Sequence, residues 1–256
     1  MDIRTIDLNC DMGESFGASA LDHDTAILES VTSANIACGF HAGDPTTMRR
    51  TIRAAMERGV AIGAHPGLPD LAGFGRRRMD ITPQEAFDLV AYQIGALSAL
   101  AKAEGAALRH VKAHGALYNM AATDAALAGA IAEAVYAVDP ALVLYGLAGS
   151  QLIAAGRRVS LRTVSEVFAD RAYMRDGTLA PRSQPGSVIA DADQAIRQAV
   201  RLATTGQVAT LPNGDLITVE AQTICIHSDS HYAADHARQI RTALEAAGVA
   251  VRAFSP

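Results

Sequence analysis

Carboxylates, histidines and one lysine recur in this sequence at the ends of short apolar runs, mostly beside glycine or proline. Asp7, Asn9 and Asp11 alternate with Leu8 and Cys10, and Glu14 follows Gly13. His41 and Asp44 flank Ala42-Gly43, His65 precedes Pro66-Gly67, and Lys112 stands two residues before His114-Gly115. Further on come Glu166, Asp170, and the pair His227 and Asp229. Along a strand, residues two apart share a face. Asp7, Asn9 and Asp11 can therefore line one surface, as can Lys112 with His114 and His227 with Asp229. Acids, amides, imidazoles and an amine on one surface shift one another's pKa values and supply an acid and a base together. Two or three of these histidines with Asp11 could also hold a divalent cation, with Mg one expectation, although the spacing diagnoses no particular metal.

Each residue has a plainer reading. An Asp at a strand end commonly caps a turn; for Asp11 the crowding by Asn9 and Glu14 favours chemistry. His41, His65 and His114 are read as functional because each sits by a Gly or Pro at a strand end. His23, His110, His231 and His236 are read as packing or surface residues. Lys112 could snorkel to solvent, but its run is short and apolar. Gly146 to Ser150 could begin an anion-binding helix or be a plain connection. Arg171, Arg175 and Arg182 occupy a long loop, where function often lies; guanidinium groups there could take a carboxylate or phosphate. The chain has no G-x-x-x-x-G-K-[ST], H-E-x-x-H or G-x-S-x-G.

The elements that must carry these residues alternate in type. Strands are expected over Ile3–Asn9, Ser33–Cys38, Val60–Ala64, Leu108–Lys112, Ala141–Gly146, Leu161–Val167 and Thr223–Ile226, with a closing strand over Val249–Phe254. Helices are expected over Leu21–Val31, Pro45–Arg58, Thr82–Ala103, Asp124–Val138, Asp191–Thr204 and Tyr232–Ala247. A short one over Ser150–Ala155 is closed by Gly156. Pro212-Asn213-Gly214-Asp215 reads as a hairpin turn between Val208–Leu211 and Leu216–Glu220. Repeated strand and helix imply a parallel sheet. A TIM-like (β/α) barrel of seven or eight strands, one domain over residues 1–256, is expected. A doubly wound open sheet is the runner-up and lacks its G-x-G-x-x-G. In a parallel barrel the site lies past the C-terminal ends of the strands, where these polar residues fall.

Bulk properties narrow the partners. The 256 residues are 50% hydrophobic and carry a formal net charge of -5, with no basic block; nucleic acid is not an expected partner. Cys10, Cys38 and Cys225 form no C-x-x-C. No signal peptide or bilayer-spanning run is read, so a cytoplasmic location and no membrane partner are expected.

Several long segments resemble the LamB/YcsF family: Asp7-Leu8-Asn9-Cys10-Asp11-Met12-Gly13-Glu14, Ala34 through Asp44, Gly63-Ala64-His65-Pro66-Gly67, Gly73-Phe74-Gly75-Arg76-Arg77, Arg109 through Asn119, and Glu166 through Arg171 with Asp176-Gly177 and Pro181-Arg182-Ser183. Two positions depart from the family pattern: Ala113 stands for its usual Pro, and Ser228 for the Gly of His-Gly-Asp. The resemblance implies a barrel related to the glycoside hydrolase/deacetylase superfamily and an ATP-dependent opening of 5-oxo-L-proline to L-glutamate, ADP and phosphate. It implies ATP as cosubstrate and companion subunits B and C. On that footing the expected catalytic residues are Asp11 (as base), His41, His65, Lys112 and His114. Asp7, Asn9, Glu14, Asp44, Glu166, Arg171, Arg182, His227 and Asp229 are expected to bind substrate or phosphate.

Overall fold

The structure, a computed structural model, describes residues 4–14, 25–226 and 233–254. Seven parallel strands close on themselves: β1 (Thr5–Met12), β2 (Ser33–Ala37), β3 (Ala61–His65), β4 (His110–Lys112), β5 (Val143–Leu147), β6 (Arg162–Phe168) and β9 (Thr223–Ile226), which returns to β1. That last pairing, Asp7 to Cys10 against Thr223 to Ile226, makes a barrel and rules out the open sheet. The closing strand is short: β10 (Ala250–Val251) pairs only with Thr5 and Ile6, on the edge of β1 below β9. A hairpin of β7 (Gln207–Ala209) and β8 (Leu216–Thr218) lies outside the barrel sheet.

The helices pack around the strands. α1 (Pro45–Glu57) starts at the Asp44 cap with Pro at its first position. α2 (Pro83–Ala103) has the reciprocal Thr82 and Glu85 capping box that the sequence announces. α4 (Ala125–Val138), α5 (Gln151–Arg158), α6 (Ala192–Thr205) and α7 (Ala233–Ala246) follow the expected positions closely. α3 (Gly115–Thr123) has no counterpart among the expected helices. His114 precedes it without a capping hydrogen bond and Gly115 opens it, so the usual start signals are missing. Of the helix expected over Leu21–Val31, residues 25–27 are helical and 28–30 turn, while 21–24 lie outside the described residues. Gly156 does not close α5. It sits inside the helix, where a Cβ would meet Thr163 Cγ2 at 2.6 Å and Leu144 Cδ2 at 3.1 Å, so its role is close approach to the sheet. No single helix among the described residues is long and apolar enough to cross a membrane.

β1 also departs from its expected bounds. It runs through Met12, so Asp11 lies within the strand with Asp7 and Asn9 rather than beyond it. Their side chains meet partners from other strands inside the barrel, while Leu8, Cys10 and Met12 belong to the apolar shell. Barrel interiors are usually filled by branched aliphatics. Here Val143, Tyr145 and Val164 form an apolar plug with Phe254, and polar groups fill the space above.

His110 belongs to that filling. Its Nε2 lies 2.8 Å from Asn35 Oδ1, and its ring stacks on Tyr145 at 4.3 Å. Asn35 Nδ2 is already donating to Asn9 and Asp11, so the imidazole is the donor to Oδ1. Burial, with the charge of Lys112 adding to it, pushes the His110 imidazole down to about 3. An unfolded histidine titrates near 6.5, so between these values only the unfolded chain takes the proton, and stability falls as pH falls. The His110 share is expected to reach about 2 kcal/mol between neutrality and roughly pH 5. Urea melts of the wild-type chain and His110→Gln at both pH values measure it; equal pH dependence in the two proteins would refute the assignment.

Candidate active site

The β1 polar stripe divides into a lower and an upper part. Asp7 is the lower member. Its carboxylate accepts from Thr32 (2.6 Å), Ser33 (2.8 Å), Thr223 (2.5 Å) and Tyr145 (3.2 Å). Burial raises its pKa against the pull of those hydroxyls. One layer up, Asn9 donates to Thr223 and accepts from Asn35 Nδ2 at 2.7 Å. Asp11 is the upper member: Oδ1 accepts from Asn35 Nδ2 and from Lys112 Nζ, both at 2.9 Å, and Oδ2 lies 3.2 Å from His65 Nε2.

Lys112, at the end of β4, is buried and does not snorkel. Its ammonium lies 2.9 Å from Asp11, 2.8 Å from Glu166 at the middle of β6, 3.1 Å from Asn9 Oδ1 and 3.1 Å from Cys225 Sγ on β9. Burial alone would discharge it, but Asp11 and Glu166 hold its pKa well above the ordinary lysine value. An ammonium has three N–H donors, and four acceptors inside the barrel already surround this one.

Beyond the strand ends, His41, His65 and His114 converge on Glu14. Glu14 Oε1 lies 2.9 Å from His41 Nε2, 3.1 Å from His114 Nδ1 and 3.6 Å from His65 Nε2. His41 and His114 stack with ring centres 3.7 Å apart and planes 3° apart. His65 meets both edge-on. The loop after β3 holds these rings by backbone contact: a Cβ on Gly67 would lie 2.4 Å from His41 Nδ1, and one on Gly75 would lie 2.7 Å from His41 Cβ and 2.8 Å from His114 Cδ2. Gly75 also has φ +63, which a side chain rarely adopts. Burial works against charge on Glu14, yet the His114 and His41 rings beside it outweigh that and bring its carboxyl down to about 2. Burial lowers His41 to about 4. His65 moves upward: burial opposes its charge, and the Asp11 carboxylate outweighs that. One ligand atom from each of Glu14, His41, His65 and His114 lies within 4.8 Å of all the others, a donor set compatible with a divalent cation.

A profile of the LamB/YcsF family matches residues 6–256. The chain belongs to that family. It is 62% identical over 248 residues to a Bordetella pertussis protein named as the A subunit of 5-oxoprolinase, covering 97% of this chain and 98% of that one. It is 59% identical over 250 residues to the Bacillus subtilis protein of the same name, with 98% and 97% covered. The crystal structure of the lactam utilization protein from Thermus thermophilus superposes with a TM-score of 0.90 at 52% identity, covering 98% of this chain and 100% of that one.

In this LamB/YcsF chain a cleft of about 180 Å³ opens over the cluster, lined by Asp11, Glu14, Lys112 and His114 among others. The structure brings Asp11, Glu14, His41, His65, Lys112, His114 and Glu166 into one connected network. Asn9 touches its floor through Lys112. Asp7 does not join it, because its oxygens are taken by hydroxyls one layer lower and it lines a separate hollow at the other end of β1, with Thr5 and Arg252. Asp44 is also elsewhere: its carboxylate caps α1 through Thr46 and Thr47. His227 and Asp229 lie outside the described residues. Ser150 caps α5, which makes the Gly146–Ser150 stretch a connection. Arg171 and Arg182 line the cleft wall. Arg171 is buried, and its guanidinium donates to the Ala180 carbonyl at 2.7 Å and the Ser187 carbonyl at 3.2 Å, pinning its own loop. Burial and then the neighbouring Arg182 charge lower its pKa. Arg76, Tyr118, Asn119 and Phe168 also line the cleft, and the sequence reading does not mark them as site residues. Tyr118 and Asn119 sit on the unexpected α3. Arg76 lies over the Phe74 ring at 4.9 Å, a contact that no local spacing encodes.

Proposed function

We propose that this chain is the A component of an ATP-dependent 5-oxoprolinase and that its cleft takes 5-oxo-L-proline. The observation that carries this reading is the convergence of Asp11, Glu14 and His114 with the Arg171 and Arg182 wall on one small cleft, in a chain whose relatives with that name match along nearly their whole length. A cleft of about 180 Å³ is below the roughly 300–1,000 Å³ of sites for larger ligands, and suits a five-membered lactam better than a whole nucleotide.

The chemistry follows from the substrate. A lactam carbon is a poor electrophile because amide resonance feeds it. Transfer of the ATP γ-phosphoryl group to the lactam oxygen removes that resonance and leaves ADP. Water then adds to the ring carbon, the C–N bond breaks as the nitrogen takes up a proton, and a second water releases the phosphate, giving L-glutamate. Asp11, at the cleft floor, is placed to take the proton from the attacking water. Lys112 touches Asp11 and lies inside the barrel, so we assign it a positioning role in keeping Asp11 ionised. His114 lines the cleft beside Asp11, with His65 behind it. Arg182 and Arg76, which both line the cleft, are suited to the substrate carboxylate or the transferred phosphoryl group. A divalent cation held by Glu14, His41, His65 and His114 would supply Lewis acidity there.

Companion subunits B and C supply ATP handling in this reading, and the protein works in the cytoplasm. A phosphorylated lactam released to water would hydrolyse unproductively, which favours a closed joint site. The test is release of glutamate and ADP from 5-oxo-L-proline and ATP by the chain alone and by the chain with subunits B and C. Coupled release is expected only from the mixture. Equal turnover by the chain alone would refute the division of labour, and no glutamate from the mixture would refute the substrate.

A further inference from the structure

We propose that Glu14, His41, His65 and His114 bind one first-row transition metal ion of the zinc class, and that the surrounding backbone has already set two of the imidazoles for it. His65 Nδ1 lies 2.7 Å from the Lys112 carbonyl oxygen, and His114 Nε2 lies 2.8 Å from the Phe74 carbonyl oxygen. A carbonyl oxygen only accepts, so both nitrogens carry hydrogens. In the neutral rings the remaining nitrogens, His65 Nε2 and His114 Nδ1, are then bare lone pairs. They face each other at 3.0 Å. Around them, further acceptors close in: Glu14 Oε1 at 3.1 Å from His114 Nδ1, and Asp11 Oδ2 at 3.2 Å from His65 Nε2. His41 directs its Nε2 at the same Glu14 oxygen from 2.9 Å, and its Nδ1 is buried without a partner among the described residues. Lone pairs held together in a buried site repel unless a cation lies among them. One proton can bridge a single pair of these atoms; a metal ion satisfies all four groups together.

The donors select among metals. Three imidazoles and a carboxylate match the tetrahedral nitrogen and oxygen sets that bind zinc, and the carbonyls behind His65 and His114 are the orienting partners such ligands usually have. Magnesium prefers an octahedron of oxygens and keeps its water. The expectation of Mg from the sequence therefore changes at this site: only Glu14 of the four groups offers oxygen. The proposal does not depend on lactam chemistry, and its test reads bound metal instead of turnover.

The experiment titrates Zn2+ into the chelator-stripped full chain by calorimetry and Co2+ by visible absorption. Expected are one saturating equivalent of Zn2+, a Co2+ spectrum of tetrahedral intensity, and no displacement by millimolar Mg2+. His65→Gln and Glu14→Gln are each expected to weaken Zn2+ binding at least about 10-fold, the lower end of what loss of even an orienting partner costs. Asp44→Asn, outside the cluster, is expected to bind as the wild type does. Circular dichroism confirms that the variants are folded, and Glu14→Gln, nearly isosteric, carries the test if His65→Gln unfolds. Failure of the folded wild-type chain to bind Zn2+ saturably would overturn the proposal. So would unchanged affinity in Glu14→Gln, or ready displacement by Mg2+.

Discussion

With the companion subunits and the reaction proposed above, Asp11→Asn is expected to lower glutamate release by about 10²–10⁴-fold, the range associated with a lost general base, while leaving the chain folded. The geometry explains why the two effects separate. An asparagine at position 11 can keep its oxygen where Oδ1 now accepts from Lys112 Nζ and Asn35 Nδ2, each at 2.9 Å. Its amide nitrogen then points where Oδ2 now lies, 3.2 Å from His65 Nε2. That ring nitrogen is a lone pair whenever the ring is neutral, so the new N–H finds an acceptor. Lys112 still keeps Glu166 as its counter-charge at 2.8 Å. Packing and hydrogen bonding therefore survive, and only the proton-accepting charge at the cleft floor is gone. The measurement pairs thermal melts with initial rates of glutamate release at saturating 5-oxo-L-proline. A folded Asp11→Asn chain supporting wild-type rates would show that the Asp11 charge takes no part in the reaction.

Much of the barrel was legible because helices carry their own start signals, as at Asp44, at Thr82 with Glu85, at Asp124 and at Asp191. The site was legible for a related reason: His41, His65, Lys112 and His114 are polar residues set among apolar or small ones, and a parallel barrel delivers strand ends to one rim. The misreadings have physical causes too. Asp7 has the same chemistry and spacing as Asp11, but periodicity gives a face and not a depth. Only Thr32, Ser33, Tyr145 and Thr223, contributed by distant segments, show that its oxygens are spent below the site. Asp44 stands next to the functional segment yet faces its own helix, as a residue at the start of a Pro-initiated helix readily does. α3 was missed because His114 serves the cluster and offers the helix no cap. Lys112 lines the cleft, but the four partners that hold it there come from β1, β6 and β9, and only closure of the barrel brings them together.

That closure makes the loss of Lys112 costly to the fold. Lys112→Met keeps the approximate length of the side chain and removes the cation that lies between Asp11 and Glu166. Both carboxylates are buried, Glu166 completely. Without the ammonium they must share a low-dielectric interior with Asn9 Oδ1 and Cys225 Sγ, or take up protons. Breaking a buried pair by removing one partner typically costs about 3–5 kcal/mol, because the surviving charge is left uncompensated. A loss of that size is expected in urea melts of Lys112→Met at neutral pH. The charge explanation is separable from lost packing by a second substitution. Glu166→Gln in the Lys112→Met background removes one of the stranded charges and should restore part of the stability, whereas Glu166→Gln alone should destabilise by weakening the pair. Neighbours joined in one network show coupling of about 0.5–3 kcal/mol in such a cycle. Additive effects of the two substitutions, or a Lys112→Met chain within about 1 kcal/mol of wild type, where a broken buried pair should cost several times that, would show that the Lys112 charge is not what holds Asp11 and Glu166 together in the barrel interior.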